Sequence, residues 1–164
     1  MAVHILFGKN GTGKTRYLKK IVSDCIKGRK LVVTNLNNIL SYGRIDKNKV
    51  QAMEDGIEPF DDYRSRAWDI SMCDLELKRY AEMLLYEGDV LVLDEIDSLL
   101  SLQQVIDLCN IISDIEHLWK EIYLSGHTRY LLLSSLDLDI KLFYKDGTFE
   151  EINRDDVYKY KDFM

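Results

Sequence analysis

Gly8-Lys9-Asn10-Gly11-Thr12-Gly13-Lys14-Thr15 fits the pattern G-x-x-x-x-G-K-[ST] at every constrained position. That pattern describes a loop that wraps a phosphate chain. Glycines let the backbone turn so that successive N–H groups aim inward at an anion. Lys14 adds a positive charge for the β- and γ-phosphates, and Thr15 offers a hydroxyl to Mg²⁺. All eight residues are therefore candidate nucleotide contacts. The flanks agree with the loop. Val3-His4-Ile5-Leu6-Phe7 reads as a short buried strand entering it, and Arg16 to Lys27 carries Leu18, Ile21, Val22, Cys25 and Ile26 at helical spacing. Gly28 follows as a C-cap.

Working outward, the 164 residues suit one domain spanning 1–164, with ample length for a packed core. Hydrophobic residues make up 46% and charged ones 30%, ordinary values for a globular chain. The net charge of −6 argues against a standalone nucleic-acid binder, because a polyanion needs a basic face. Nucleic acid is expected only through a partner or a local patch. Cys25, Cys73 and Cys109 are odd in number and form no C-x-x-C pair, and no signal peptide precedes them. They read as reduced, mostly buried thiols of a cytoplasmic protein. His4, His117 and His127 are scattered and make no metal constellation. No apolar run approaches the ~20 residues that cross a bilayer, so no direct membrane insertion is expected.

Five strand candidates alternate with helices: Ala2–Phe7, Lys30–Thr34, Asp89–Asp94, Glu121–Ser125 and Ile140–Tyr144. The last is joined through Asp146-Gly147 to Thr148–Ile152, a strong hairpin signal. Val90-Leu91-Val92-Leu93 and Leu31-Val32-Val33 are unbroken apolar runs, as parallel strands covered on both faces require. Amphipathic helices are expected over Asp74–Glu87 (Leu77, Tyr80, Ala81, Leu84) and Ser98–Lys120 (Leu99, Leu102, Ile106, Cys109, Ile112). The expected fold is α/β, a doubly wound, mostly parallel five-stranded sheet in the order 5-1-4-3-2 with a C-terminal β-hairpin. Residues 35–70 are polar, hold the only proline (Pro59) and lack sustained periodicity; they read as a lid or insertion beside the nucleotide.

Leu93-Asp94-Glu95 ends an apolar strand in two adjacent carboxylates. Asp94 at the strand's C-terminal edge suits the Mg²⁺ shell. The next side chain points elsewhere, so Glu95 can act as general base on the attacking water. Past the following strand, Leu124-Ser125-Gly126-His127-Thr128 places a histidine on the same rim, where it can contact a γ-phosphate. The plainer readings are a helix cap for the acids and a loop histidine bonded to backbone.

Taken together, Gly8–Thr15, Leu93-Asp94-Glu95-Ile96-Asp97 and Ser125-Gly126-His127-Thr128 resemble the ATPase domains of the ABC superfamily, and more closely its soluble SMC-like and OLD-like branch. Asn10 before Gly11 is typical of that branch. Ile70-Ser71-Met72-Cys73-Asp74 stands in the place of the family's signature motif, and the terminal hairpin resembles its closing strands. The resemblance implies a P-loop NTPase fold with ATP and Mg²⁺ as ligands. Lys14 and Thr15 would bind phosphate and metal, Asp94 the metal, and Glu95 would activate water; His127 would be the switch histidine. Ser71 would reach the γ-phosphate held by a second subunit, and Ser71-x-x-Asp74 is also a capping-box pattern. Met72 and Cys73 replace the signature's small residues, and Ser101 stands where the dimer-loop aspartate falls. No β-subdomain with an adenine-stacking aromatic is expected ahead of Gly8. Gln51 and Asn35 are weak candidates for the metal-sensing glutamine.

The leading expectation is an ATP-binding, ATP-hydrolysing core that drives or regulates a partner protein, as a homodimer or in a heteromeric complex. The alternatives are a nucleotide-binding regulatory subunit with little turnover, or a small-molecule P-loop kinase, for which Arg64 and Arg66 are the only nearby lid arginines. An AAA-type motor would have Arg129 as its sole finger.

Overall fold

An unbroken apolar strand has no face to turn to water. Val90–Leu93, buried at all four positions, accordingly lies inside the sheet. The structure is a computed structural model that describes residues 3–36, 44–56, 72–127 and 138–163. Val3–Phe7 (β1), Val32–Thr34 (β2), Val90–Leu93 (β3), Glu121–Gly126 (β4), Leu138–Phe143 (β5) and Phe149–Ile152 (β6) form one sheet, ordered β2-β3-β4-β1-β5-β6. The first five are parallel to their neighbours, and β6 is antiparallel to β5. The sheet therefore has six strands where five were expected. The hairpin's second arm stays bonded to β5, with Ile140 opposite Ile152, and extends that edge.

Alternate residues of these strands face two separate apolar layers. On one side Leu6, Val90, Val92, Tyr123 and Phe143 pack against α1 (Lys14–Lys27) through Leu18 and Cys25. Ile26, read above as part of that stripe, is 61% exposed, because it sits in the last turn past the edge of the contact. On the other side Ile5, Phe7, Leu91, Leu93 and Leu124 meet α2 (Lys47–Gly56), α3 (Met72–Leu84) and α4 (Leu102–Ile115). Each fully buried aliphatic side chain here contributes roughly 1.5–3 kcal/mol.

α4 starts at Leu102, four residues later than the expected Ser98. Ser101 accepts a hydrogen bond from Gln104 N–H, and Gln104 Oε1 accepts one from Ser101 N–H, a capping box that fixes the first turn. Leu99 and Leu102 are consequently about half exposed, while Val105, Leu108, Cys109, Ile111, Ile112 and Ile115 are buried. Of residues 35–70, the stretch 47–56 forms α2, which packs against α4. The Ile45–Tyr86 bridge ties the entry to α2 onto the end of α3. Residues 37–43 and 57–71 lie outside the described residues, and with them most of the expected lid.

Register then places the chemistry. Phe7 pairs with Gly126, and Leu93 with Leu124, so the segments that follow β1, β3 and β4 all leave the sheet at one edge.

Candidate functional site

Gly13 caps α1 with φ +98° and contributes no side chain, which leaves the helix's first N–H groups directed at the loop. Gly8 and Gly11 also have positive φ. Gly8 has a second reason to be glycine: a Cβ there would stand 2.8 Å from both the Phe143 carbonyl oxygen and Thr12 Oγ1. Thr12 is buried and donates to the Lys9 carbonyl at 2.8 Å, folding the crown of the loop back on itself. Lys9, Asn10 and Gly11 are exposed on that crown. Lys14 is 6% exposed; its ammonium donates to the Gly8 carbonyl and, at 3.4 Å, to that of Lys9. Burial lowers its pKa from the ordinary lysine value, opposed by the nearby carboxylates of Asp94, Glu95 and Asp97.

Thr15 Oγ1 donates to Asp94 Oδ2 at 2.8 Å, so the loop and the end of β3 meet at the two residues expected to hold metal. The other Asp94 oxygen, Oδ1, accepts from Ser125 Oγ, and the same Ser125 oxygen accepts from Glu95 N–H at 2.8 Å. Asn35, one residue past β2, makes a reciprocal pair with the Asp94 backbone: its Nδ2 donates to the carbonyl and its Oδ1 accepts from the N–H, both at 2.8 Å. Asp94 is thus held from the first turn of α1, the end of β2 and the end of β4. Glu95 has φ +52°, a left-handed backbone that side chains other than those of Gly and Asn rarely adopt. Its carbonyl accepts from Ser98 Oγ at 3.0 Å, and its side chain is half exposed.

His127 N–H donates to Asp97 Oδ2 at 2.9 Å, and His127 Nε2 lies 3.8 Å from Glu95 Oε1. Lys9 to Arg16, Glu95 and His127 together line a cavity of about 230 Å³. The loop, the acid pair and the histidine are therefore brought to one place. Ser71 lies outside the described residues, immediately before α3 begins at Met72.

Three residues do more here than their positions in the chain reveal. Ser125 and Asp97 occur within quoted motifs but carried no role in the sequence reading, and Asn35 was only a weak metal-sensing candidate. Their partners come from strand register: Leu93 opposite Leu124 puts Asp94 abreast of Ser125. A small hydroxyl residue ending the strand beside an acidic one is the signal that could have identified Ser125.

No family model and no curated protein matches this chain. Solved structures do. The chain is similar to a cobalt-transport ATP-binding protein, with TM-score 0.63 and 16% identity over 95% of this chain and 70% of that one. It is also similar to the archaeal ribosome recycling factor aABCE1, solved with the ribosomal stalk protein aP1, with TM-score 0.56 and 16% identity. RNase-L inhibitor gives TM-score 0.55 at 16% identity. In both of these last cases the match covers 92% of this chain and spans 34% of the other. At these identities the likeness is one of fold. The chain has the α/β fold of a P-loop NTPase, in the form seen in ABC-type ATPases. Among the described residues no helix is long and apolar enough to cross a membrane.

Proposed function

We propose that this chain binds ATP with Mg²⁺ and hydrolyses it, and that the cycle drives or regulates a partner protein. The observation that carries the reading is the convergence of Lys14, Thr15, Glu95 and His127 on one cavity lined by the phosphate loop, with Asp94 hydrogen-bonded to Thr15 behind it. A hydroxyl and a carboxylate in contact are hard oxygen donors of the kind Mg²⁺ takes, so Thr15 and Asp94 would hold the ion. When bound, Mg²⁺ neutralises charge on the phosphate oxygens.

The chain's own residues supply the rest. Backbone N–H groups of residues 9–15 and the Lys14 ammonium stabilise the triphosphate. Glu95 orients a water for in-line attack and accepts its proton as the new P–O bond forms and the β–γ bridging bond breaks. His127 Nε2 faces both Glu95 and the γ-phosphate end, where it reports the loss of that phosphate. Ser71, one residue ahead of Met72 in the sequence, would complete the site of a second subunit. Asn10 before Gly11 supports placement with the SMC-like and OLD-like ATPases.

Glu95→Gln keeps size and removes the base. ATP binding is expected to persist while phosphate release falls at least a hundredfold; unchanged turnover would reject Glu95 as the base. A second reading, a regulatory subunit that holds ATP without turnover, is favoured by the bulky Met72 and Cys73 where the signature's small residues would stand. It is distinguished by tight ATP binding with no phosphate release from the unaltered chain, alone or with its partner.

A further inference from the structure

We infer that the cleft between the phosphate loop and the turn joining β5 to β6 is the nucleoside subsite, which takes the base and ribose of the nucleotide. This rests on the triphosphate reading above and adds the other half of the ligand to it. Glu95 and His127 close one side of the 230 Å³ cavity, on the β3 and β4 flank, and so define where the terminal phosphate lies. A nucleotide whose γ-phosphate points that way must carry its nucleoside off in another direction. On the β5 flank a second, larger cavity of about 800 Å³ shares Lys9, Asn10, Gly11 and Thr12 with the first. Its far wall is Phe143, Tyr144, Lys145 and Asp146. One ligand can therefore occupy both, and the volume falls within the ~300–1,000 Å³ of small-molecule clefts.

The two walls are fixed relative to one another. Gly8 lies against Phe143, and a Cβ on Gly13 would sit 3.5 Å from Gly147 Cα, so both ends of the loop touch the hairpin. The turn is itself rigid. Gly147 takes φ +82°, its N–H donates to the Tyr144 carbonyl at 3.0 Å, and Tyr144 N–H donates to the Thr148 carbonyl at 2.8 Å. Asp146 Oδ1 accepts from both the N–H and the hydroxyl of Thr148. Phe143 is propped from beneath by Tyr17 and Phe149, with ring centroids 5.4 and 5.1 Å away. The chemistry suits a heteroaromatic ring. Tyr144 presents an aromatic side chain whose hydroxyl is tethered to Glu150 Oε2 at 2.6 Å, which limits its motion, and a base stacked on such a ring needs no particular hydrogen-bond pattern. Lys145 adds an exposed cation at the rim.

The test is titration of the full chain, with Mg²⁺, by ATP and by inorganic tripolyphosphate, which has the phosphates and no nucleoside. ATP is expected to bind at least tenfold more tightly. Tyr144→Ala should erase most of that advantage and leave tripolyphosphate affinity unchanged, while Tyr144→Phe should retain ATP affinity. Equal affinity for the two ligands in the unaltered chain, or an ATP preference that survives Tyr144→Ala, overturns the subsite. Binding of neither ligand overturns the triphosphate reading itself. Should Tyr144→Ala lose both ligands, photocrosslinking of 8-azido-ATP to the unaltered chain decides: an adduct within 143–148 supports the subsite, and one confined to other peptides rejects it.

Discussion

Glu95 combines the reactive carboxylate of the proposed mechanism with a backbone angle that few side chains tolerate. Left-handed backbone of this kind costs on the order of 1–3 kcal/mol and persists only where the surroundings enforce it. Here the enforcement is visible in the bonds from Glu95 N–H to Ser125 and from Ser98 Oγ to the Glu95 carbonyl. Glu95→Gly should accordingly raise stability by about 0.5–1 kcal/mol while abolishing turnover, a trade that thermal unfolding and phosphate release measure side by side. Gly8 behaves in the opposite sense. Gly8→Ala would drive a methyl into the Phe143 carbonyl, so a loss of roughly 1–3 kcal/mol is expected together with loss of nucleotide binding. An Ala variant of unchanged midpoint in urea would show that the loop and β5 are not in contact.

At the scale of elements, the beginning of α4 depends on two side chains. Ser101→Ala removes one arm of the capping box and should cost about 1 kcal/mol, a melting shift of roughly 2–4 °C in a chain of this size. α2 is secured in another way. Lys49 is fully buried, donates to the Tyr86 carbonyl at 2.8 Å, and holds its ammonium 3.3 Å from the centre of the Trp119 ring. Burial brings its pKa down from 10.5 to about 8, against the pull of Asp46, Glu87 and Asp89. Between pH 8 and 10.5 the unfolded chain therefore binds more protons at this residue than the folded one does, and stability attributable to Lys49 rises with pH across that window. The penalty of burying its charge is fully present below pH 8. Relative to Lys49→Met, which cannot titrate, the unaltered chain should gain stability from pH 8 to 10.5 in urea unfolding. A parallel pair of curves would reject the assignment.

For the molecule as a whole, the sequence exposes what local patterns encode and hides what register encodes. Gly8–Thr15, the run Val90–Leu93 with its terminal acids, and the Asp146-Gly147 turn are each read from neighbouring residues, and they carried the α/β layering and the rim where Lys14, Thr15, Asp94, Glu95 and His127 gather. Asn35 could not be assigned its role that way, because its partner Asp94 lies on another strand and is reached only once β2 and β3 are paired. The apolar spacing that suggests a helix from Ser98 does not locate its first turn, which the reciprocal bonds between Ser101 and Gln104 set at Leu102. The cleft beside Tyr144 needs the hairpin to be folded onto the loop before it exists.

The position of β1 also has a consequence for the order in which the chain is made. β1 is made before both of the strands that flank it, β4 and β5, with Val3 opposite both Ile122 and Leu138. During synthesis the phosphate loop thus emerges before its neighbours and waits, with bare edges on both sides of β1, until β4 and β5 have left the ribosome. Nucleotide cannot serve as a template for folding when the loop first emerges, because the Asp94 end of its site is made later and the hairpin later still. Stalled nascent chains exposing residues 1–126 should remain protease-sensitive with or without ATP. Those exposing residues through 152 should become ATP-protected, so the later-made hairpin sets when the earlier-made loop begins to work.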